Sequence, residues 1–296
     1  MDCSCYNWIG CSHSISYQDT LASLSDAPRA ASGCGGSTAI VMKDFLVFSS
    51  LVKSYHLNKR QRFLERSKIK TALSGLSFSV KQGEIFGLLG PNGAGKTTAM
   101  RITAGLIKSD SGDVFVDSWS IRENKVEVQR KIGFLSEDLR LDEFFTPDYL
   151  FDFFAALREV PKNTIAVRKA LLFERFGIYN YAYKPIAALS NGMRQMVSLV
   201  LSIVHDPPLL ILDEPTNGLD LVAAREVVDF LLEMKSQGKT IILSTHIFNL
   251  VEKICDRVCI IINGRLLYSA YVETNLEDTF FSLYDQCRDE GQRITS

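Results

Sequence analysis

Along most of the chain, short apolar runs alternate with longer stretches in which apolar residues recur every three or four positions. The runs "LSFSV" (76–80), "IFGLLG" (85–90), "IGFLS" (132–136), "LLILDEP" (209–215), "TIILST" (240–245) and "RVCIII" (257–262) have the length and continuous apolar character of buried strands. Helical periodicity falls between them, at about 95–106, 164–176, 191–205, 221–236 and 247–253. Strands alternating with helices predict an α/β fold around a mostly parallel core sheet. From about 138 to 188 the pattern is helical throughout and includes the aromatic-rich segment "FFTPDYLFDFFAALR". It predicts a helical insertion between two sheet segments, with plain crossover helices as the alternative. Residues 1–41 are rich in Ser, Gly, Ala and Cys and carry no period, which predicts a disordered extension. Met42 opens the strand-like run "MKDFLVFSSLVKSY", so a chain that begins at Met42 is the alternative to a genuine extension.

With 296 residues, 46% apolar and 23% charged, the composition is that of a globular protein with a sizeable core. The near balance of 33 Lys and Arg against 34 Asp and Glu gives no whole-chain electrostatic case for nucleic acid. The basic stretch "HLNKRQRFLERSKIK" (56–70) reads as a solvated loop; contact with lipid headgroups or with an acidic loop of a partner is the alternative. No apolar run reaches the roughly 20 residues of a membrane span. The first residues hold neither a positive nor an apolar signal region. A cytosolic chain is expected, with any membrane role supplied by a partner. Of the seven cysteines, Cys3, Cys5 and Cys11 lie near His13. These are zinc-ligand types, but their spacing fits no zinc pattern, so reduced thiols are expected.

Specific chemistry begins at Gly90-Pro91-Asn92-Gly93-Ala94-Gly95-Lys96-Thr97, followed by Thr98. The segment fits G-x-x-x-x-G-K-[ST] between a strand and a helix. Glycines let successive N–H groups face one point, and the helix N-terminus adds positive partial charge there. Lys96 suits the β- and γ-phosphates of a nucleotide, and the Thr97 hydroxyl suits Mg²⁺. Asp213 and Glu214 end the run "LLILDEP", at the strand edge where ligands of parallel sheets gather. Asp213 can hold Mg²⁺, and Glu214 can orient and deprotonate a water. His246, just after "TIILST", can reach a γ-phosphate from the same edge. A second anion-friendly helix start occurs at "LSNGM" (189–193): Ser190 is a good N-cap and Gly192 leaves the backbone open.

The ordered set "GPNGAGKTT", "LSNGM", "LLILDEP", "NGLD" and "STH" resembles the nucleotide-binding subunit of ATP-binding cassette (ABC) transporters, over about residues 43–285. The resemblance implies a P-loop ATPase cassette at 42–285. Its mostly parallel core sheet would be joined by an antiparallel β subdomain and by a helical subdomain at about 138–200, with a short tail at 286–296. It implies ATP and Mg²⁺, and a pair of cassettes, identical or different, closing head to tail. Ser190 and Gly192 would then serve the partner's nucleotide, Asp220 would lie in the loop that crosses between cassettes, and Tyr55 would stack on adenine. Two positions depart from the family pattern. Asn191 stands where a second Gly is usual. Glu137 stands where a Gln usually approaches Mg²⁺ or the attacking water. The signature "LSNGMRQ" and the short tail resemble the subfamily paired with type-2 permeases, which implies separate integral-membrane subunits, export, and a peripheral place on the cytoplasmic face. The alternatives are a cassette ATPase acting on a cytosolic complex and a small-molecule kinase using the same phosphate loop.

Overall fold

A computed structural model describes residues 43–57, 68–136, 140–273 and 275–295. The N-terminal stretch with Cys3, Cys5, Cys11 and His13, most of the basic segment and Glu137 lie outside the described residues.

Two sheets organise the chain. The smaller is antiparallel, in the order β2-β1-β4-β5, from β1 (Asp44–His56), β2 (Ile69–Lys81), β4 (Ser111–Val116) and β5 (Trp119–Ser120). The larger contains β3 (Ile85–Leu89), β6 (Ile132–Leu135), β7 (Leu209–Asp213), β8 (Thr240–Thr245), β9 (Arg257–Ile262) and β10 (Arg265–Tyr271), in the order β10-β9-β3-β8-β7-β6. All its pairs are parallel except the β9–β10 edge. The run "LSFSV", read as a buried strand, belongs to β2 in the antiparallel sheet. Its serines explain this: Leu76 and Val80 are buried while Ser77 is exposed, the period-2 pattern of a strand with one wet face.

The core strands lack such alternation because both faces are covered. Phe86 and Leu88 of β3, Ile211 of β7 and Ile242 of β8 pack with Ala99 and Met100 of α1 (Lys96–Thr103), and with Leu46 and Leu76 of the antiparallel sheet. On the opposite face, Ile85, Leu89, Leu212 and Leu243 meet α5 (Asn191–Ser202), α6 (Leu221–Ser236) and α7 (Phe248–Ile254). Arg257 ties the sheets together. Its Nη1 donates to Ser79 O at 3.2 Å and to Glu84 Oε1 at 3.0 Å, and its guanidinium lies 5.2 Å from the Phe86 ring centroid. α2 (Lys125–Arg130) precedes β6, and α8 (Leu276–Thr295) closes the chain.

Between β6 and β7 the described chain is helical or turn. Thr146 caps α3 (Pro147–Leu157) by accepting from Tyr149 N at 3.3 Å, with Pro147 in the first turn, as capping chemistry favours. Phe151 meets Phe173 of α4 (Lys162–Arg175) edge to face at 5.5 Å. Arg175 joins this segment to α6 through Glu226 at 2.8 Å and through Glu233.

At the end of α5, His205 is half-buried and its Nε2 faces Ile132 O at 3.1 Å. A carbonyl only accepts, so Nε2 carries the proton. Nδ1 is buried without a partner. Burial, reinforced by the charge of Arg158, pushes the imidazole pKa down to about 4. A base whose folded pKa lies below its unfolded value near 6.5 takes up its proton more readily when unfolded. Its contribution to stability is therefore complete above that value and is lost as pH falls from about 6.5 toward 4, by at most about 1.4 kcal/mol per pH unit. Urea unfolding midpoints of the native protein and of His205→Gln should differ by a constant above pH 7. Below pH 6.5 the difference should shift steadily in favour of the variant. A pH-independent difference would contradict the buried neutral histidine.

Candidate active site

β3 runs into the loop at Gly90, and the loop ends in α1. Two glycines are required by crowding. A Cβ on Gly90 would lie 2.2 Å from Ile261 O, and one on Gly95 would lie 2.4 Å from Ala72 O. Gly95 is also the N-cap of α1, with φ +108°, a conformation that side chains disfavour. Lys96 is buried and folds back over the loop, its Nζ donating to Gly90 O at 2.5 Å and to Pro91 O at 3.3 Å. Both acceptors are neutral, so an anionic oxygen offers the ammonium a stronger partner.

The parallel pairing brings the other groups to the same edge. Asp213 ends β7 and is 1% exposed. Its Oδ1 accepts from Ser244 Oγ of β8, while Oδ2 is buried with no hydrogen-bond partner. Glu214 follows with φ +50°, uncommon for a residue with a Cβ, and its N–H donates to Ser244 O at 3.1 Å. Glu214 Oε1 lies 3.0 Å from His246 Nδ1. The carboxylate accepts, so Nδ1 is the donor, and the His246 side chain is exposed. Thr245 Oγ1 accepts from Ile247 N at 3.1 Å and steadies the turn that carries His246.

A cleft of about 240 Å³ at this edge is lined by Tyr55, Asn92 to Thr98, Asp213 and Glu214, together with Lys70 and Ala72, while His246 stands beside it on Glu214. Lys70 is the register partner of Tyr55 across β1 and β2. The cleft offers the Lys96 cation, the phosphate-loop residues Asn92 to Thr98 and hard oxygen donors. The Thr97 hydroxyl and the orphaned Asp213 oxygen are what a small divalent cation selects, so the donor set fits Mg²⁺.

Ser190, Gly192 and Asp220 lie elsewhere; none of them is among the described residues that line this cleft. Ser190 is exposed and caps α5, accepting from Met193 N at 3.2 Å. A Cβ on Gly192 would lie 3.4 Å from Gly218 O, so the start of α5 packs on the turn before α6. Asp220 caps α6 by accepting from Val222 N and Ala223 N, both at 2.9 Å. Asn191, Arg194, Asn217 and Gly218 line a separate polar hollow of about 620 Å³.

A model described as "ABC transporter" matches residues 73–217. An uncharacterized ABC transporter ATP-binding protein of Methanocaldococcus jannaschii is 41% identical over 204 residues, covering 69% of this chain and 73% of that one. The ABC transporter ATP-binding protein NatA of Bacillus subtilis is 33% identical over 231 residues, covering 78% and 91%. The chain belongs to the ABC transporter family. The Nod factor export ATP-binding protein I of Ralstonia nicotianae is 37% identical, and the chain spans 63% of its length. Among solved structures, an ATP-binding subunit of an ABC transporter superposes with a TM-score of 0.69 at 27% identity, over 77% of this chain and 90% of that one. A dimeric post-hydrolysis cassette bound to ADP and Pi shares the fold, with a TM-score of 0.67 at 22% identity over 77% and 99%. The chain is thus an ATP-binding cassette with the fold of an ATPase.

Reading the sequence of this cassette overlooked Lys70, Ala72 and Ser244. For Ser244 no signal existed, because its pairing with Asp213 across β7 and β8 is not written in either run. Nor did one exist for Lys70, because cross-strand pairing with Tyr55 is not written in either segment. The crowding around Gly95 gives a graded expectation. Gly95→Ala should lower stability by about 1–3 kcal/mol and weaken ATP binding, whereas Gly93→Ala, where nothing lies within 4 Å of the added atom, should cost less. Chemical unfolding and nucleotide titration of both variants check the order, and the reverse order would contradict the loop geometry.

Proposed function

We propose that this cassette hydrolyses ATP in a head-to-tail pair, with itself or with a close relative, and that the closing and opening of the pair drive separate integral-membrane permease subunits, in the direction of export. The observation that carries the reading is the separation of two phosphate-friendly helix starts on one chain. The loop at Lys96 and the start of α5 at Ser190 and Gly192 do not share a cleft, so a nucleotide held by one meets the other only on a second molecule. A two-fold pair makes two such composite sites. Leu221 and Val222, at the start of α6 just after Asp220, present apolar side chains that are 92% and 81% exposed, which suits a surface that another cassette covers.

Within each site, Tyr55 receives the adenine, and the loop amides with Lys96 hold the phosphates. Thr97 and Asp213 supply oxygens for Mg²⁺, which would neutralise charge on the phosphates. Glu214 takes the proton of the attacking water. His246 holds Glu214 through Nδ1 and turns Nε2 toward the γ-phosphate. Glu137, outside the described residues, is proposed to approach Mg²⁺ or the water from the segment after β6. Ser190, Gly192 and Asp220 act on the partner's side of the sandwich. Among the described residues no helix is long and apolar enough to cross a membrane. In this reading the permease carries the transported substrate and the cassette works at the cytoplasmic face. The names of the relatives, Nod factor export among them, support transport, and export in particular, over action on a cytosolic complex.

Glu214→Gln should slow phosphate release by about 10²–10⁴-fold, the usual worth of general-base catalysis, while ATP affinity is retained and the pair is trapped as a dimer in size-exclusion chromatography. Unchanged turnover would remove Glu214 from its role. Mixing Ser190→Arg with Lys96→Ala should restore part of the hydrolysis that each variant lacks alone, because one of the two composite sites in the mixed pair keeps both intact halves. Rates that remain the simple sum of the separate variants would overturn the shared site.

A further inference from the structure

We propose that Ser244 is the positioning residue of the metal site: its hydroxyl sets the aim of the Asp213 carboxylate. The inference rests on the ATPase reading above and adds to it a residue that does not itself line the cleft. β7 and β8 pair so that Asp213 and Ser244 are register partners, and Ser244 is fully buried. Its Oγ donates to Asp213 Oδ1. A carboxylate oxygen accepts and does not donate, so the direction of that bond is fixed. Holding one oxygen fixes the plane of the group, and the other oxygen, Oδ2, is left buried with no partner. A buried polar atom without a partner is costly and uncommon. Here Asp213 belongs to the wall that also carries Thr97, so the orphaned oxygen is an open position for a cation. Without the hydroxyl the carboxylate is free to rotate, and neither oxygen is directed.

The same residue also addresses the neighbouring acid. Ser244 O accepts from Glu214 N at 3.1 Å, at a residue whose φ is +50°. That contact is made by the backbone and survives a side-chain substitution. A change at Ser244 should therefore act on the metal through Asp213 while the backbone under Glu214 stays in place.

Thr and Val have nearly the same shape, and only Thr carries a hydroxyl, so Ser244→Thr and Ser244→Val separate the hydrogen bond from packing in this buried strand. Ser244→Ala adds a smaller side chain without a hydroxyl. In the full-length protein, ATP affinity is measured in EDTA. Mn²⁺ affinity is then measured with a slowly hydrolysed ATP analogue, from the loss of the free Mn²⁺ electron paramagnetic resonance signal. Partners that orient metal ligands are worth about 10–100-fold in metal affinity. We expect Ser244→Val and Ser244→Ala to need at least about 10-fold more Mn²⁺, with Ser244→Thr close to the native protein and metal-free ATP affinity unchanged in all. Equal Mn²⁺ affinity in the Thr and Val variants, whether native or weakened, would overturn the role of the hydroxyl. A native protein that binds nucleotide without any effect of Mn²⁺ would instead bring down the metal-dependent ATPase reading.

Discussion

The parallel pairing of β3, β8 and β7 is the constraint on which the cleft depends. Leu89 pairs with Thr245 and Asp213 with Ser244, so three strands end at one level. A phosphate loop, two acids and a histidine then leave the sheet at the same edge without further adjustment. Parallel strands need crossovers, and crossovers put helices on both faces. The same requirement that brings the ends together also buries the strands. Ile85 to Leu89, Leu209 to Asp213 and Thr240 to Thr245 are buried throughout, which gives the site a rigid base.

Burial has a cost at the edge, where the chain turns polar. Asp213 and Glu214 are carboxylates at 1% and 7% exposure, and Glu214 sits in a backbone conformation that side chains avoid. Both are held from β8, Asp213 by the Ser244 hydroxyl and Glu214 by the Ser244 carbonyl and by His246. Local strain persists where surrounding contacts over-determine it, and the ladder next door supplies those contacts. One buried oxygen of Asp213 escapes this accounting. On the cleft wall that also carries Thr97, that oxygen stands where a ligand would complete it.

The strand ends were the most legible part of the sequence, because each couples a continuous apolar run to a polar residue that has no business in a core. Ser190 was legible as a helix start and caps α5 in the structure, whereas Asp220, expected by resemblance in a loop between cassettes, caps α6. What pairing decides was not legible. "LSFSV" joins the antiparallel sheet rather than the core sheet, and a five-residue run does not say which strand it will lie beside. Lys70 reaches the cleft through its register with Tyr55, a relation between segments separated by the basic stretch. Ser244 lies inside "TIILST", and its partner Asp213 stands 31 positions earlier. Which group faces which nucleotide was open for a different reason: Ser190 and Gly192 lie apart from Lys96 on the chain that carries them.

That separation has a physical use. Had Ser190 and Lys96 shared a cleft, the chain would be complete as soon as ATP arrived, and hydrolysis would be coupled to nothing. In the proposed pair the site, divided between two surfaces, would be finished only by association. ATP would then bind the closed pair better than the open one, and the difference in affinity would be the free energy available to close it. Closure works on other subunits only if the parts that move are stiff. The helical segment from α3 to α5 is braced to α6 by Arg175, Glu226 and Glu233, and α5 and α6 also pack on the core sheet. A displacement at Ser190 therefore travels with the whole segment. In that reading hydrolysis would remove the phosphate that both halves grip, so the contact that closed the pair would be the one the chemistry destroys. The exposed start of α6 at Leu221 and Val222 would be covered in one half of the cycle and wet in the other.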